Sequence, residues 1–180
     1  MRSRRAPRPL LGALVLLVLG GLSAAPAAAR AEEGLFTMRG AGGLATVDPD
    51  APALGGIAQA GFTLGLSDAV AWTATTTYVG HAALDTASLG MGLRVEGALG
   101  DWTRPYVLVE PTFLLVLDTP QADPVRADAA GRAALGLDYL IVWGLGLTLE
   151  VSGILPAGLS GLPFPHGASA AATAGLYMEF

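Results

Sequence analysis

The chain has 180 residues and no cysteine, which leaves room for one domain beside a leader and excludes a disulfide framework, thiol catalysis and thiolate metal sites. Its 15 acidic side chains face 10 basic ones, all arginine. Beyond residue 31 the only basic residues are Arg39, Arg94, Arg104, Arg126 and Arg132, so no basic patch exists to displace counterions from phosphates and nucleic acid is excluded as a partner.

The amino-terminal end sets the compartment. Arg2, Arg4, Arg5 and Arg8 precede an apolar run from Leu10 to Leu22, followed by the small-residue stretch Ser23 to Ala31, which is the three-part form of a secretory signal peptide. The run is too short to span a bilayer. Alanines stand one and three positions before a cut after either Ala29 or Ala31, and Glu32 and Glu33 opening the mature chain favour Ala31. Residues 1–31 are therefore expected to be a signal peptide and 32–180 a single exported domain.

From there the hydrophobic period is two almost throughout, and no amphipathic helix stands out. The first strand is expected from Leu35 to about Val47, with Phe36, Met38 and Leu44 opposite Thr37, Arg39 and Ala41. Asp48 to Pro52 breaks it. The second, Leu54 to Leu66, sets Phe62, Leu64 and Leu66 against Gln59, Gly61, Thr63 and Gly65. After Ser67-Asp68, the third, Val70 to Gly80, sets Val70, Trp72 and Tyr78 against Thr73, Thr75 and Thr77.

A connection from His81 to Ala87 leads to the fourth strand, Ser88 to Leu99, with Leu89, Met91, Leu93 and Val95 opposite Gly90, Gly92, Arg94 and Glu96. The fifth, Arg104 to Leu117, opposes Val107, Val109, Phe113 and Leu115 to Arg104, Tyr106, Glu110 and Thr112. Pro105 and Pro111 lie in it and remove ladder donors. The sixth, Ala127 to Tyr139, places Arg132, Gly136 and Asp138 on its polar side. The seventh, Trp143 to Ser152, alternates Leu145, Leu147, Leu149 and Val151 with Gly144, Gly146, Thr148 and Glu150. The eighth, Ala168 to Phe180, alternates Ala172, Ala174, Leu176, Met178 and Phe180 with Thr173, Gly175, Tyr177 and Glu179.

Alternation alone fits either a membrane barrel, apolar outside, or a soluble barrel or sandwich, apolar inside. The polar face decides. A water-facing surface carries many charges of both signs, whereas here that face is mostly Gly, Ala, Thr and Ser, residues suited to a crowded lumen. Phe36, Trp72, Tyr139, Trp143 and Phe180 gather on the apolar face near one set of strand ends, as an interfacial girdle would. Connections after strands two, four and six are short and the others longer, a pattern of short periplasmic turns and longer outer loops.

These features together resemble the small OmpA/OmpX-type outer-membrane barrels. The resemblance implies an all-β fold: an eight-stranded antiparallel up-and-down transmembrane β-barrel in the outer membrane, with the lipid bilayer and the barrel-assembly machinery as its partners. Thr173, Gly175, Met178 and Phe180 fill the polar, glycine, hydrophobic and aromatic places of the terminal-strand signal that this machinery reads. By topology His81, Asp123 and His166 are expected outside the cell, and Asp68, Asp101 and both mature termini in the periplasm.

The inward face carries a charge ladder. A turn centred near Trp102 sets Arg94 opposite Glu110, a loop centred near Gln121 sets Glu110 opposite Arg132, and a turn near Ile141 sets Arg132 opposite Glu150. Arg104 and Asp138 form a further pair. Charges in so narrow an interior must be paired, so the expected barrel is plugged rather than open, with a noncatalytic role in envelope structure or surface interaction. Two alternatives remain, a small-solute channel and a lipid-modifying enzyme. Some eight-stranded outer-membrane barrels are lipid A deacylases that use His, Ser and Glu, which brings His166, Ser169 and Glu179 into comparison. That family spaces His and Ser two residues apart on one strand face; here they are three apart and Glu179 lies at the other end. Gly42-Gly43 and Gly55-Gly56 open no helix and so make no phosphate loop. No cofactor or metal site is expected, and the sequence names no extracellular ligand.

Overall fold

A computed structural model describes residues 36–46, 54–80, 85–118, 126–142, 144–157 and 169–180. Eight strands run in chain order: β1 (Phe36–Thr46), β2 (Leu54–Gly65), β3 (Val70–Gly80), β4 (Asp85–Glu96), β5 (Thr103–Asp118), β6 (Arg126–Val142), β7 (Leu145–Pro156) and β8 (Ser169–Glu179). Each pairs antiparallel with the next, and β8 pairs back onto β1 to close the barrel. Closure leaves no sheet edge, so each backbone donor and acceptor inside the ladder can be satisfied without water, which a lipid-facing wall requires.

The alternation sorts the two faces. Leu89, Met91, Leu93 and Val95 of β4, and Val107, Val109 and Phe113 of β5, are exposed on the outside. Thr73, Thr75 and Thr77 of β3, Thr148, Glu150 and Ser152 of β7, and Thr173 of β8 are buried inside. A core of small and polar side chains beneath an exposed apolar shell inverts the order of a soluble protein, and it is the arrangement that lowers free energy when the surroundings are hydrocarbon.

Strand bounds depart from the expected ones at both ends of the barrel: at the short turns β4 stops at Glu96 instead of Leu99, β6 runs on to Val142 instead of Tyr139 and β7 starts at Leu145 instead of Trp143, and at the long-loop end the shifts are as large. β4 begins at Asp85 instead of Ser88, and β7 continues to Pro156 instead of Ser152. There the ladder, not the apolar alternation, defines the strand: Thr86 still pairs with Val116 and Ala130 with Pro156. Gly100 and Gly144 sit in the turns after β4 and β6 with φ of 72° and 77°, a left-handed conformation that side chains with a Cβ resist. The connection expected at His81 to Ala87 contracts to 81–84, and His81, Asp123, Trp143 and His166 lie outside the described residues.

Of the two prolines of β5, Pro111 coincides with a break in pairing that leaves the register unmoved, whereas Pro105 keeps its place opposite Leu137. The β4–β5 ladder stops at Gly90↔Thr112 and resumes in the same register at Leu93↔Val109, so the gap falls opposite Pro111, which has no N–H to give. The register shifts that do occur lie elsewhere, between Asp85 and Thr86 and between Leu140 and Val142.

Candidate functional site

Ionisable side chains on the inward face share one narrow lumen, where each must find an opposite charge. Among the described residues the largest fully buried side chains are Arg94, Glu110 and Arg132, each 2% exposed or less. They belong to two groups.

The first centres on Arg132 of β6. Its Nη1 donates to Glu110 Oε1 of β5 at 2.6 Å, and its Nη2 donates to Glu150 Oε1 of β7. Thr73 Oγ1 donates to the other Glu110 oxygen at 3.5 Å, and Gln59 Nε2 reaches across from β2 to Glu150 at 3.3 Å. Space for the Glu110 side chain comes from β4: a Cβ on Gly90 would lie 2.6 Å from Glu110 Oε1, and one on Gly92 would lie 2.5 Å from Glu110 Cβ. Small residues facing a charged side chain are thus part of the site, since a bulkier β4 would push the carboxylate off its arginine.

The second group centres on Asp138 of β6, whose Oδ2 accepts from Arg94 Nη2 at 2.5 Å and from Arg39 Nη2 of β1 at 3.3 Å. Arg94 Nε also lies 2.7 Å from Glu96 Oε1. Tyr106 stands between the groups. Its hydroxyl donates to Glu150 Oε2 at 2.9 Å, and the Arg94 guanidinium lies over its ring, 3.7 Å from the centroid.

Two expected pairings are corrected. Arg94 stands opposite Leu108, not Glu110, because the turn after β4 is centred one residue earlier than Trp102, and a one-residue change in a hairpin's centre moves the register by two. Arg104 does stand opposite Asp138 in the ladder, yet its Nη1 pairs with Glu179 Oε1 at 2.5 Å while Asp138 turns to Arg94 and Arg39. The expected register of Arg132 against Glu150 is corrected as well: the turn after β6 is centred two residues later than Ile141, so the ladder sets Arg132 opposite Ile154 and Glu150 opposite Gly136, and the two still meet by a diagonal contact, as strand tilt and stagger in a small barrel allow. Arg39, Gln59, Glu96 and Tyr106 were legible as inward-facing; Glu96 meets Arg94 on its own strand, but Arg39, Gln59 and the Tyr106 hydroxyl find partners on strands that are not ladder neighbours, and alternation carries no signal for those.

The terminal-strand residues divide by face. Thr173 is buried in the lumen and Met178 stands opposite Met38 of β1 on the outside. The Phe180 and Phe36 rings lie 6.0 Å apart, and Phe36, Phe62 and Trp72 continue as an aromatic row at 6.0 and 5.5 Å. At Gly175 a Cβ would overlap the Gly40 carbonyl oxygen, and at Gly43 the Ala172 carbonyl oxygen, so the seam between β1 and β8 closes around two glycines.

For catalysis, Ser169 and Glu179 bound β8 and are separated by about 33 Å of extended chain at ~3.3 Å per residue. No group of three or more His, Cys, Asp or Glu among the described residues could hold a metal ion.

No family model and no curated protein matches the chain. Solved structures do. Neisserial surface protein A superposes with a TM-score of 0.63 at 13% identity, covering 81% of this chain and 97% of that one. The attachment invasion locus protein Ail of Yersinia pestis gives 0.56 at 8% identity, with 83% and 100% covered. By fold this chain is a small eight-stranded outer-membrane β-barrel. The outer membrane enzyme PagL is also similar, with a TM-score of 0.50 at 14% identity over 81% of this chain and 99% of that one. The outer-membrane barrel fold therefore accommodates proteins of different kinds, and function must be argued from the barrel's own residues.

Proposed function

We infer that this barrel is a noncatalytic integral outer-membrane protein whose lumen is plugged by paired charges, and that it serves envelope structure or surface interaction. On this reading residues 1–31 direct export, and the assembly machinery reads Thr173, Gly175, Met178 and Phe180. The observation that carries the plug is burial: Arg94, Glu110 and Arg132, polar side chains in the barrel interior, are at most 2% exposed. Side chains lining a water-filled pore would be wetted, and burying unpaired ions would cost several kcal/mol each. Pairing these charges with one another and with Glu150 and Asp138 offsets the cost of burying them.

Refolded protein in a planar bilayer tests the plug: no unitary conductance is expected, and stable channel openings would replace this reading with the channel. The likeness to PagL supports a second reading, a lipid-modifying enzyme. The mass of lipid A after expression separates the two: an unchanged mass is expected here, and loss or gain of an acyl chain would favour the enzyme. Orientation has its own test. Asp123→Cys should react with an impermeant thiol reagent on intact cells and Asp101→Cys should not; the opposite pattern would invert the barrel.

A further inference from the structure

Neither charge group explains by itself why the lumen is one closed unit. The Arg132 group joins β5, β6 and β7, with Gln59 and Thr73 reaching in from β2 and β3. The Arg94 group joins β1, β4 and β6. The side chain that touches both is Tyr106.

Tyr106 stands directly opposite Gly136 of β6, and a Cβ on Gly136 would overlap the phenol ring. The ring is therefore laid down across the β6 backbone instead of standing off the β5 wall, and from that seat its tip reaches β7. There the hydroxyl donates to Glu150 Oε2 at 2.9 Å and lies 3.5 Å from Thr148 Oγ1. The ring takes two cations, Arg94 with its guanidinium carbon 3.7 Å from the centroid and Arg39 at 5.2 Å. Leu108 and Ala134 pack with it in the one buried apolar cluster among the described residues. One side chain of β5 thus contacts residues of β1, β4, β6 and β7.

The paired charges fill the lumen around the ring, but arginine is long and needs a fixed partner if it is not to exchange carboxylates while an ion passes. A flat ring fixed by a backbone seat, a hydrogen bond and two cations cannot swing in that way. We propose that Tyr106, seated on Gly136, is the element that occludes this barrel, so that the chain is a latent pore for small ions held shut by one phenol. This rests on the closed-lumen reading above and adds which residue closes it.

The experiment is planar-bilayer conductance in potassium chloride, with the heat-dependent gel shift of each folded variant as the control for assembly. The parent is expected to be silent. Tyr106→Ala should give discrete unitary steps, Tyr106→Phe should stay silent because the ring and both cation contacts persist, and Asp138→Asn should stay silent because the ring stays seated. Gly136→Ala, which keeps the phenol but takes its seat, should conduct. If Tyr106→Ala does not fold, Tyr106→Leu keeps the apolar contacts with Leu108 and Ala134 and should conduct in its place. A folded Tyr106→Ala or Tyr106→Leu barrel that is silent overturns the proposal, as does conductance from Asp138→Asn with none from the tyrosine variants. A conducting parent would instead sink the closed-lumen reading; unitary conductance unchanged by Tyr106→Ala would then remove the role of Tyr106 as well, and a larger one would retain it.

Discussion

The two charge groups are both built from arginines and carboxylates around a buried centre, Arg132 in one and Asp138 in the other, yet they are satisfied to different degrees. Around Arg132 both terminal nitrogens have carboxylate partners, Glu110 and Glu150 each gain a further donor, and of the described atoms in that group Gln59 Oε1 alone is buried without a partner. Around Asp138 two arginines share one oxygen, while Arg94 Nη1, Arg39 Nε and Asp138 Oδ1 are buried without a hydrogen-bond partner among the described residues. Arg94 Nε, although close to Glu96, is not in line for a hydrogen bond with it. Pairing a charge and satisfying its hydrogen-bonding groups are therefore separate achievements. In the Arg132 group each arginine nitrogen that pairs also donates a hydrogen bond, so that group should resist change the most. The Arg94 group leans on the Tyr106 ring, which accepts a guanidinium face without matching its N–H groups one by one.

The largest expected effect is at the satisfied group. Arg132→Ala leaves Glu110 and Glu150 buried without their cation and should destabilise the folded barrel by about 3–5 kcal/mol, read from urea unfolding in lipid vesicles. Adding Glu110→Gln and Glu150→Gln should recover most of that loss; no recovery would mean that packing rather than charge is responsible. Asp138→Asn should cost less, about 1–3 kcal/mol, because Arg94 keeps Glu96 and the Tyr106 ring. Equal losses from Arg132→Ala and Asp138→Asn would erase the distinction drawn between the groups.

A comparison on one strand pair sharpens the point with no charge involved. Gly175→Ala puts a methyl group into the Gly40 carbonyl across the seam, and overpacking of this kind costs about 1–3 kcal/mol. Gly40→Ala, on the same seam but with nothing within 4 Å of its added Cβ, should stay within about 0.5 kcal/mol of the parent. Refolding into vesicles without any assembly machinery makes this a test of closure itself. The smallest effect belongs to Arg104→Ala: its side chain is 43% exposed beside Glu179, so the loss should be under about 1 kcal/mol and should shrink further as salt is raised.

Which side chains face in and which face out was readable before any fold was known, since alternation is a local property of extended chain and survives any register. Arg94, Glu110, Arg132, Asp138 and Glu150 were legible as inward-facing on that ground alone, as were Tyr106 and the glycines of the lumen. Their burial was implied by the poverty of charge on the same face. The tertiary structure decided who meets whom. The turn after β4 sits one residue from its expected centre, and that was enough to give Arg94 to Asp138 instead of Glu110. Strand tilt brought Arg132 to Glu150 across a register that opposes neither to the other. Contacts such as Arg39 with Asp138, or Gln59 with Glu150, join strands that share no ladder, and they exist only because closing the sheet brings its far strands within reach across a narrow lumen.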